Sequence, residues 1–222
     1  MERMGLFFLV LAAALSASAP AQALGPVDVE VGAKVGAGTN PVGGGFPNPL
    51  GFGVGGRAGV SIFGLYAGLS AMNYFGGGSQ QVDVTQGFAY ERGSVSPHSF
   101  LWGGEAGYGV SLFGLVTLRA MFGIGEDVLG MSGGLATGLT NDNMVHPTLP
   151  VQSTSYVYLE PGLTALANLG VFYVGLDASA LLLPAGPGWP PNLATVPLHG
   201  AFSSTHQLDT AIAVLAEVGF RF

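Results

Sequence analysis

The alternation of apolar and charged residues near the end of the chain constrains its fold most. Apolar side chains occupy every second position from Ile212 to Phe222, as on one face of a β-strand. The other face carries Glu217 and Arg221, and Asp209 continues its phase upstream. An ordinary two-sided core excludes such charges. The pattern is typical of a membrane β-barrel strand, with lipid on one side and a polar lumen on the other.

The first residues indicate export. Arg3 precedes an apolar run of ten residues at 6–15, and Ala21 and Ala23 supply the small residues of a signal-peptide cleavage site. A transmembrane helix is the alternative, but it needs roughly 20 apolar residues. We therefore predict a cleavable signal peptide at 1–23.

The composition fits one exported domain at 24–222. No linker divides these residues, and the absence of cysteine excludes disulfides and thiolate chemistry. Charged residues make up only 9% of the chain and the mean hydropathy is +0.50, yet this part has no apolar segment long enough for a spanning helix. Its hydrophobicity lies in alternating residues between turn formers, as in membrane barrels.

An internal repeat locates three tight turns. The sequence at 59–65 returns almost unchanged at 109–115, and 167–172 occupies an equivalent place. Polar or Pro- and Gly-rich stretches alternate with these turns, at about 38–50, 75–99, 126–152 and 184–205. Three short turns and four long loops require eight strands. We place the strands at 26–37, 51–62, 64–74, 100–112, 114–125, 153–167, 170–182 and 206–222.

The charged residues within these strands fall on one face of each strand. Since the outer face of a membrane barrel is apolar, the charged face is predicted to line the lumen. The predicted lumen network comprises Asp28, Glu30, Lys34, Arg57, Glu105, Arg119, Glu160, Asp177, Asp209, Glu217 and Arg221. Because an unpaired buried charge is costly, we expect Arg57 and Arg119 to be paired inside the barrel.

The predicted lumen is narrow. Eight strands leave an interior that side chains fill or that holds one small ligand. Four bases against seven acids therefore indicate a plugged lumen, in which the excess carboxylates are protonated, hydrated or bound to cations. Inward glycines such as Gly32, Gly53 and Gly103 remove bulk, so a water-lined crevice is the alternative.

Aromatic residues cluster near both ends of the predicted strands. Those near the long loops are Tyr74, Phe75, Phe100, Trp102 and Phe122, and those near the short turns are Phe63, Phe113, Phe172, Phe220 and Phe222. Two such clusters are typical of aromatic girdles at the two membrane interfaces. The alternative is a soluble sandwich or lipocalin-like barrel, which would have to hold the charged faces inside.

The hairpin pattern from 26 to 222 resembles the small eight-stranded bacterial outer-membrane β-barrels typified by the transmembrane domain of outer membrane protein A. Val218, Phe220 and Phe222 resemble the C-terminal signal by which the barrel assembly machinery accepts such proteins. The resemblance implies an all-β, antiparallel, up-and-down transmembrane barrel in the outer membrane of a Gram-negative bacterium. It also implies periplasmic termini, extracellular long loops and periplasmic chaperones as assembly partners.

The sequence shows no pattern that requires catalysis. A serine, histidine and acid site could be assembled from Ser204, His206 and Asp209. A second grouping pairs Ser99 with His98. Related barrels that modify lipid A use rim residues of this kind, so a lipid A-modifying enzyme is a minor alternative. We predict no enzyme activity, no cofactor and no metal site.

Acidic residues in the predicted long loops bear on the expected partners. They are Asp83, Glu91, Glu126, Asp127 and Asp142. Divalent cations held there would bridge the phosphates of lipopolysaccharide, although acidic loops are also simply soluble loops. We expect outer-membrane lipids and lipopolysaccharide around the barrel, whereas the net charge of −7 argues against nucleic acid as a partner.

Two functions remain after these exclusions. The first is a structural anchor or surface-interaction protein, whose plugged barrel displays long loops to an unidentified extracellular ligand. The second is a narrow channel or conduit for small or hydrophobic solutes, favoured by the inward glycines and by apolar loop residues such as Leu181, Leu182 and Trp189. We favour the anchor, and eight strands are too few for a wide diffusion porin.

Overall fold

A computed structural model describes residues 27–42, 46–86, 89–136, 152–184, 198–199 and 208–222. The predicted signal peptide, with Ala21 and Ala23, lies outside these residues. Ser204 and His206 of the predicted catalytic grouping also lie outside them. No helix in the described ranges is long and apolar enough to cross a membrane.

Eight of the strands form a closed antiparallel barrel. The described strands are β1 (Val27–Gly38), β2 (Phe52–Ile62), β3 (Leu65–Tyr74), β4 (Gln80–Gln86), β5 (Ala89–Leu112), β6 (Val116–Ala136), β7 (Gln152–Leu169), β8 (Phe172–Leu181), β9 (Leu198–His199) and β10 (Ala211–Arg221). The barrel runs β1-β2-β3-β5-β6-β7-β8-β10 and closes where β10 pairs with β1. The predicted all-β, eight-stranded, up-and-down barrel is therefore confirmed.

The repeated sequence forms tight turns, as predicted. Phe63 and Gly64 link β2 to β3 with φ angles of 52° and 86°. Phe113 and Gly114 lie in the equivalent turn between β5 and β6, with φ angles of 54° and 71°. Tight hairpin turns need positive φ because this backbone twist matches that of the flanking strands. Gly170, with φ of 76°, lies in the third turn, at the same end of the barrel.

The strands β5 and β6 are much longer than predicted. The sequence places their loop-side ends at 100 and 125, whereas β5 begins at Ala89 and β6 ends at Ala136. The short strand β4 pairs with the added part of β5, and β9 pairs with β4. We call the part beyond the last pairing of β3 with β5 the extension; it comprises β4, β9, 89–98 of β5 and 130–136 of β6. Its polar residues predict loops, but polar segments also pair as strands.

Most of the predicted aromatic residues stand on the outer surface, together with a continuous set of exposed aliphatic residues. Phe113, at the tip of its turn, is 98% exposed, and Phe100 and Trp102 are exposed towards the other end. Phe122 is also exposed but lies midway along the barrel part of β6, so its assignment to the loop-side girdle is wrong. The assignment of Tyr74 to the outer girdle is wrong. Its side chain points inward and is only 2% exposed, because it shares the inward phase of β3 with Met72.

Candidate functional site

The lumen of the barrel contains two regions of different chemistry. The half near the tight turns holds charged side chains from the strands, which we call the ionic network. Its members are Glu30, Lys34, Arg57, Glu105, Arg119, Asp177, Glu217 and Arg221. The half near the loops holds apolar side chains, which we call the apolar plug.

Glu30 is the centre of the first part of the ionic network. Arg119 donates to both of its carboxylate oxygens, over 2.7 and 3.0 Å, and Arg221 donates over 2.9 Å. Ser61 Oγ donates a further hydrogen bond of 2.8 Å. Glu30 has no exposed surface, so these bonds replace the water that its charge would otherwise bind.

The second part of the network surrounds Arg57 and Lys34. Arg57 Nε lies 2.8 Å from Glu217 Oε1, and Lys34 Nζ lies 2.9 Å from Asp177 Oδ2. Longer contacts of 3.7 and 3.8 Å join Lys34 to Glu105 and Arg57 to Asp177. Both arginines that the sequence predicts to be paired therefore have carboxylate partners inside the barrel.

Tyr66 joins the two parts. Its ring centroid lies 4.3 Å from the guanidinium carbon of Arg119 and 5.4 Å from that of Arg57. Its hydroxyl donates a hydrogen bond of 2.9 Å to Glu105. A desolvated cation over an aromatic face is stabilising. Tyr66 is absent from the predicted lumen network, although the alternation along β3 places it on the inward face.

Two predicted lumen residues lie at the margins of the network, and a third lies outside the lumen. Glu160 accepts a hydrogen bond of 2.7 Å from Ser179 and borders a water-sized cavity of about 20 Å³. Asp28 lines a cavity of about 300 Å³ among the tight turns, together with Glu30. The assignment of Asp209 to the lumen is wrong. Asp209 is exposed and precedes β10, which begins at 211 rather than 206.

The inward glycines do not leave the lumen empty. Tyr74 lies against Gly53, its partner across β2 and β3, where a Cβ atom would collide with the ring. Tyr173 lies in the same way against Gly219, and its hydroxyl donates a hydrogen bond of 2.7 Å to Glu217. Tyrosine rings thus occupy the space that these glycines provide, which contradicts the water-lined crevice at these positions.

The loop between β1 and β2 enters the apolar plug. Its side chains Val42, Phe46 and Leu50 are buried, and Leu50 is 0% exposed. Leu181 ends β8, within the predicted strand at 170–182, and packs here as well. The other members are Met72, Tyr74, Leu101, Leu129, Met131, Tyr156, Tyr158, Leu183, Leu208, Ala211, Ala213 and Leu215. The mouth of the barrel is therefore closed by apolar packing.

Two asparagines hold this loop in place. Asn40 Nδ2 donates to the carbonyl of Phe46 over 2.6 Å, and Asn48 Nδ2 donates to that of Gly38 over 2.6 Å. The side-chain oxygen of Asn48 accepts from the backbone of Leu50 over 2.9 Å. Asparagine is favoured in such positions because its side chain satisfies the backbone locally. The loop therefore carries the polar side chains that fix its own position in the mouth.

Two of the predicted loop acids lie on β6 instead. Asp127 points inward, is 1% exposed and accepts a hydrogen bond from Ser99. Glu126 points outward and accepts one of 3.1 Å from Trp102 Nε1. His98 and Ser99 are consecutive in β5, so their side chains leave opposite faces and form no site. No group of acidic, histidine or cysteine side chains among the described residues could hold a metal ion.

The fold is shared with solved barrels. A major outer membrane protein from Thermus thermophilus matches with a TM-score of 0.50 and 13% identity, over 88% of this chain and 99% of that one. The chain has the fold of the eight-stranded outer-membrane β-barrels. No protein-family model and no curated protein sequence matches it.

Two further structures resemble this barrel. Neisserial surface protein A matches with a TM-score of 0.47 and 11% identity, over 89% of this chain and 97% of that one. The N-terminal β-barrel domain of Pseudomonas aeruginosa OprF matches with a TM-score of 0.45 and 11% identity, over 88% and 97% of the two chains.

The last strand of the outer-membrane barrel fold carries the predicted assembly signal. Val218, Phe220 and Phe222 share the outward phase of β10 and of the residue that follows it. The Phe220 ring lies 4.8 Å from that of Phe172 and 6.2 Å from that of Phe222. These side chains form one apolar patch at the turn-side end of the barrel.

Proposed function

We propose that this protein is a closed outer-membrane anchor that presents its extension to an extracellular ligand. The observation that carries the proposal is the filling of the lumen at two levels. The ionic network blocks the turn-side half, and the apolar plug blocks the loop-side half. A path for solutes would have to break both, and we therefore do not propose a channel.

The outer surface supports a location in the membrane. Exposed valine, leucine, isoleucine and phenylalanine side chains surround the barrel, as the bilayer interior requires. We place the tight turns in the periplasm and the extension outside the cell, since periplasmic connections of such barrels are short. Val218, Phe220 and Phe222 would then serve as the signal for the assembly machinery and its chaperones.

The extension supports a role in surface interaction. It continues the hydrogen-bonded ladder between β5 and β6 as far as Arg92 and Ala136. It therefore projects a paired sheet beyond the barrel mouth, where a rigid platform can display neighbouring loops. The part of the chain that would contact a ligand thus differs from the part that crosses the bilayer.

Conductance in planar bilayers tests the proposal. We expect folded wild-type protein to form no channels. Arg119→Ala should stay silent because the apolar plug remains, and a variant in which an Asn-Gly turn replaces residues 39–51 should stay silent because the ionic network remains. The double variant should conduct.

Discrete channels from the wild type would contradict the closed anchor and favour the conduit. Before its conductance is measured, each variant is shown to be folded by a change in gel mobility when the sample is heated. Should the loop replacement fail to fold, Phe46→Ser combined with Leu50→Ser disrupts the plug with the backbone length unchanged.

A further inference from the structure

The basic residues of this protein are distributed unevenly. The sequence has six lysines and arginines, and Arg3 lies in the predicted signal peptide. Four others, Lys34, Arg57, Arg119 and Arg221, belong to the ionic network inside the barrel. The sixth, Arg92, lies in the extension. Among the described residues, no lysine or arginine therefore stands on the outer surface of the eight-stranded barrel.

Polar side chains do occur on the outer surface at its loop-side end. Asn73 and Phe100 are paired on β3 and β5, and Trp102 is paired with Glu126 on β5 and β6. Ser155 is exposed on β7, opposite Val128 of β6. We call Asn73, Phe100, Trp102, Glu126 and Ser155 the loop-side rim. It offers an amide, a hydroxyl, a carboxylate and two aromatic rings, but no cation.

We propose that the loop-side rim is fitted to lipids with uncharged, hydroxyl-rich headgroups, such as neutral glycolipids, and not to phosphate headgroups. The inference rests on the proposed location in the outer membrane. Proteins bind lipid phosphates through lysine and arginine, which this surface lacks. A carboxylate only accepts hydrogen bonds, so Glu126 suits hydroxyl donors and repels a phosphate.

The contact between Trp102 and Glu126 supports the same chemistry. The indole N–H, which would otherwise be free for a lipid acceptor, donates to Glu126 Oε2. This leaves the ring face and the remaining acceptor positions of the carboxylate for the headgroup. Indole rings at this depth are favourable in any bilayer, whereas the carboxylate discriminates between headgroups by charge.

Folding into vesicles tests the proposal. The processed protein is diluted from urea into phosphatidylcholine vesicles, alone or with added digalactosyldiacylglycerol, phosphatidylglycerol or lipopolysaccharide, at low salt with EDTA. The gel mobility shift gives the half-time of folding. We expect galactolipid to shorten this half-time, and an unchanged half-time would overturn the fit to hydroxyl-rich headgroups. Phosphatidylglycerol and lipopolysaccharide should lengthen it several-fold, and added salt should remove the effect because it screens like charges.

Two variants separate the rim from the net charge of −7. Glu126→Lys should shorten the half-time with phosphatidylglycerol several-fold. Asp83→Lys makes the same charge change on the extension and should have a much smaller effect. Equal effects of the two variants would overturn the role of the rim.

Other outcomes also decide the question. Faster folding with lipopolysaccharide in EDTA would overturn the proposal, and faster folding only with added Mg²⁺ would replace it by cation bridging of phosphates. If the protein folds in detergent but in none of the vesicles, the proposed membrane location itself fails.

Discussion

The two halves of the lumen are built differently. In the turn-side half, every charged member of the ionic network comes from an inward position of a barrel strand. In the loop-side half, the strands contribute apolar side chains and the loop after β1 adds Val42, Phe46 and Leu50. The lumen of a narrow barrel can therefore be filled by side chains of its strands or by a loop that folds back into it, and both occur in this protein.

Substitutions in the two halves should also lower the free energy of unfolding for different reasons. Removal of one partner from a buried ion network leaves an uncompensated charge, which is strongly destabilising. Removal of an apolar side chain from a packed cluster costs the lost transfer energy and a cavity, whose size depends on how far the neighbours relax. The loop in the plug can relax more than a barrel strand can, since isolated hydrogen bonds, such as that from Gly38 N–H to the Leu50 carbonyl, hold it instead of a continuous ladder on both sides.

The largest effect is expected at Arg119. Arg119→Ala leaves Glu30 buried with Arg221 as its remaining cation, and should lower the free energy of unfolding by about 3–5 kcal/mol. Urea unfolding in vesicles measures the change. The double variant Glu30→Gln/Arg119→Ala should lose less than the sum of the two single variants. An unchanged unfolding midpoint for Arg119→Ala would contradict the energetic role of the network.

A smaller effect is expected in the plug. Leu50→Ala removes a side chain that is 0% exposed, and should cost about 2–3 kcal/mol, near the low end for buried leucines because the loop can settle. Leu115→Ala is the matched control, since Leu115 is 65% exposed in the turn between β5 and β6, and should cost less than about 1 kcal/mol. Equal losses in urea unfolding would show that the plug is not packed as a core.

The smallest effect is expected where a tyrosine covers a glycine. Gly219→Ala brings a methyl group against the Tyr173 ring and the Val31 carbonyl, and should cost about 1–2 kcal/mol. Gly104→Ala has open space on the outward face of β5 and should be neutral or stabilise by about 0.5 kcal/mol. The difference between the urea-unfolding midpoints of the two variants measures the packing of Tyr173 on Gly219. Equal midpoints would contradict this packing.

The ionic half was predictable because strand alternation fixes the direction of each side chain. Glu30, Lys34 and Glu217 follow from their phase once lipid is assigned to the apolar face. The partner of each charge was not predictable, because Arg119 reaches Glu30 across the lumen rather than from a neighbouring strand. The alternation along a strand gives the direction of each side chain, but not its distance from side chains on the opposite side of the barrel.

The plug and the extension were not predictable in the same way. The sequence at 38–50 predicts a polar loop, and nothing in its composition shows that Phe46 and Leu50 turn back into the mouth. In the extension, the residues near Ala89 lack a clear alternation of apolar and polar side chains. The pairing of β4 with β5 was therefore not predictable from the sequence.

The closed eight-stranded barrel, its tight turns and the inward face of its charges follow from the sequence, because the alternation makes one face of each strand apolar and the repeated Phe-Gly pairs mark two of the turns. The filling of the lumen, in contrast, depends on the folded barrel. Which arginine meets which carboxylate, which tyrosine covers which glycine, and whether a loop enters the mouth depend on distances across the barrel. These distances are set by the closure and register of all eight strands together, and no local pattern contains them.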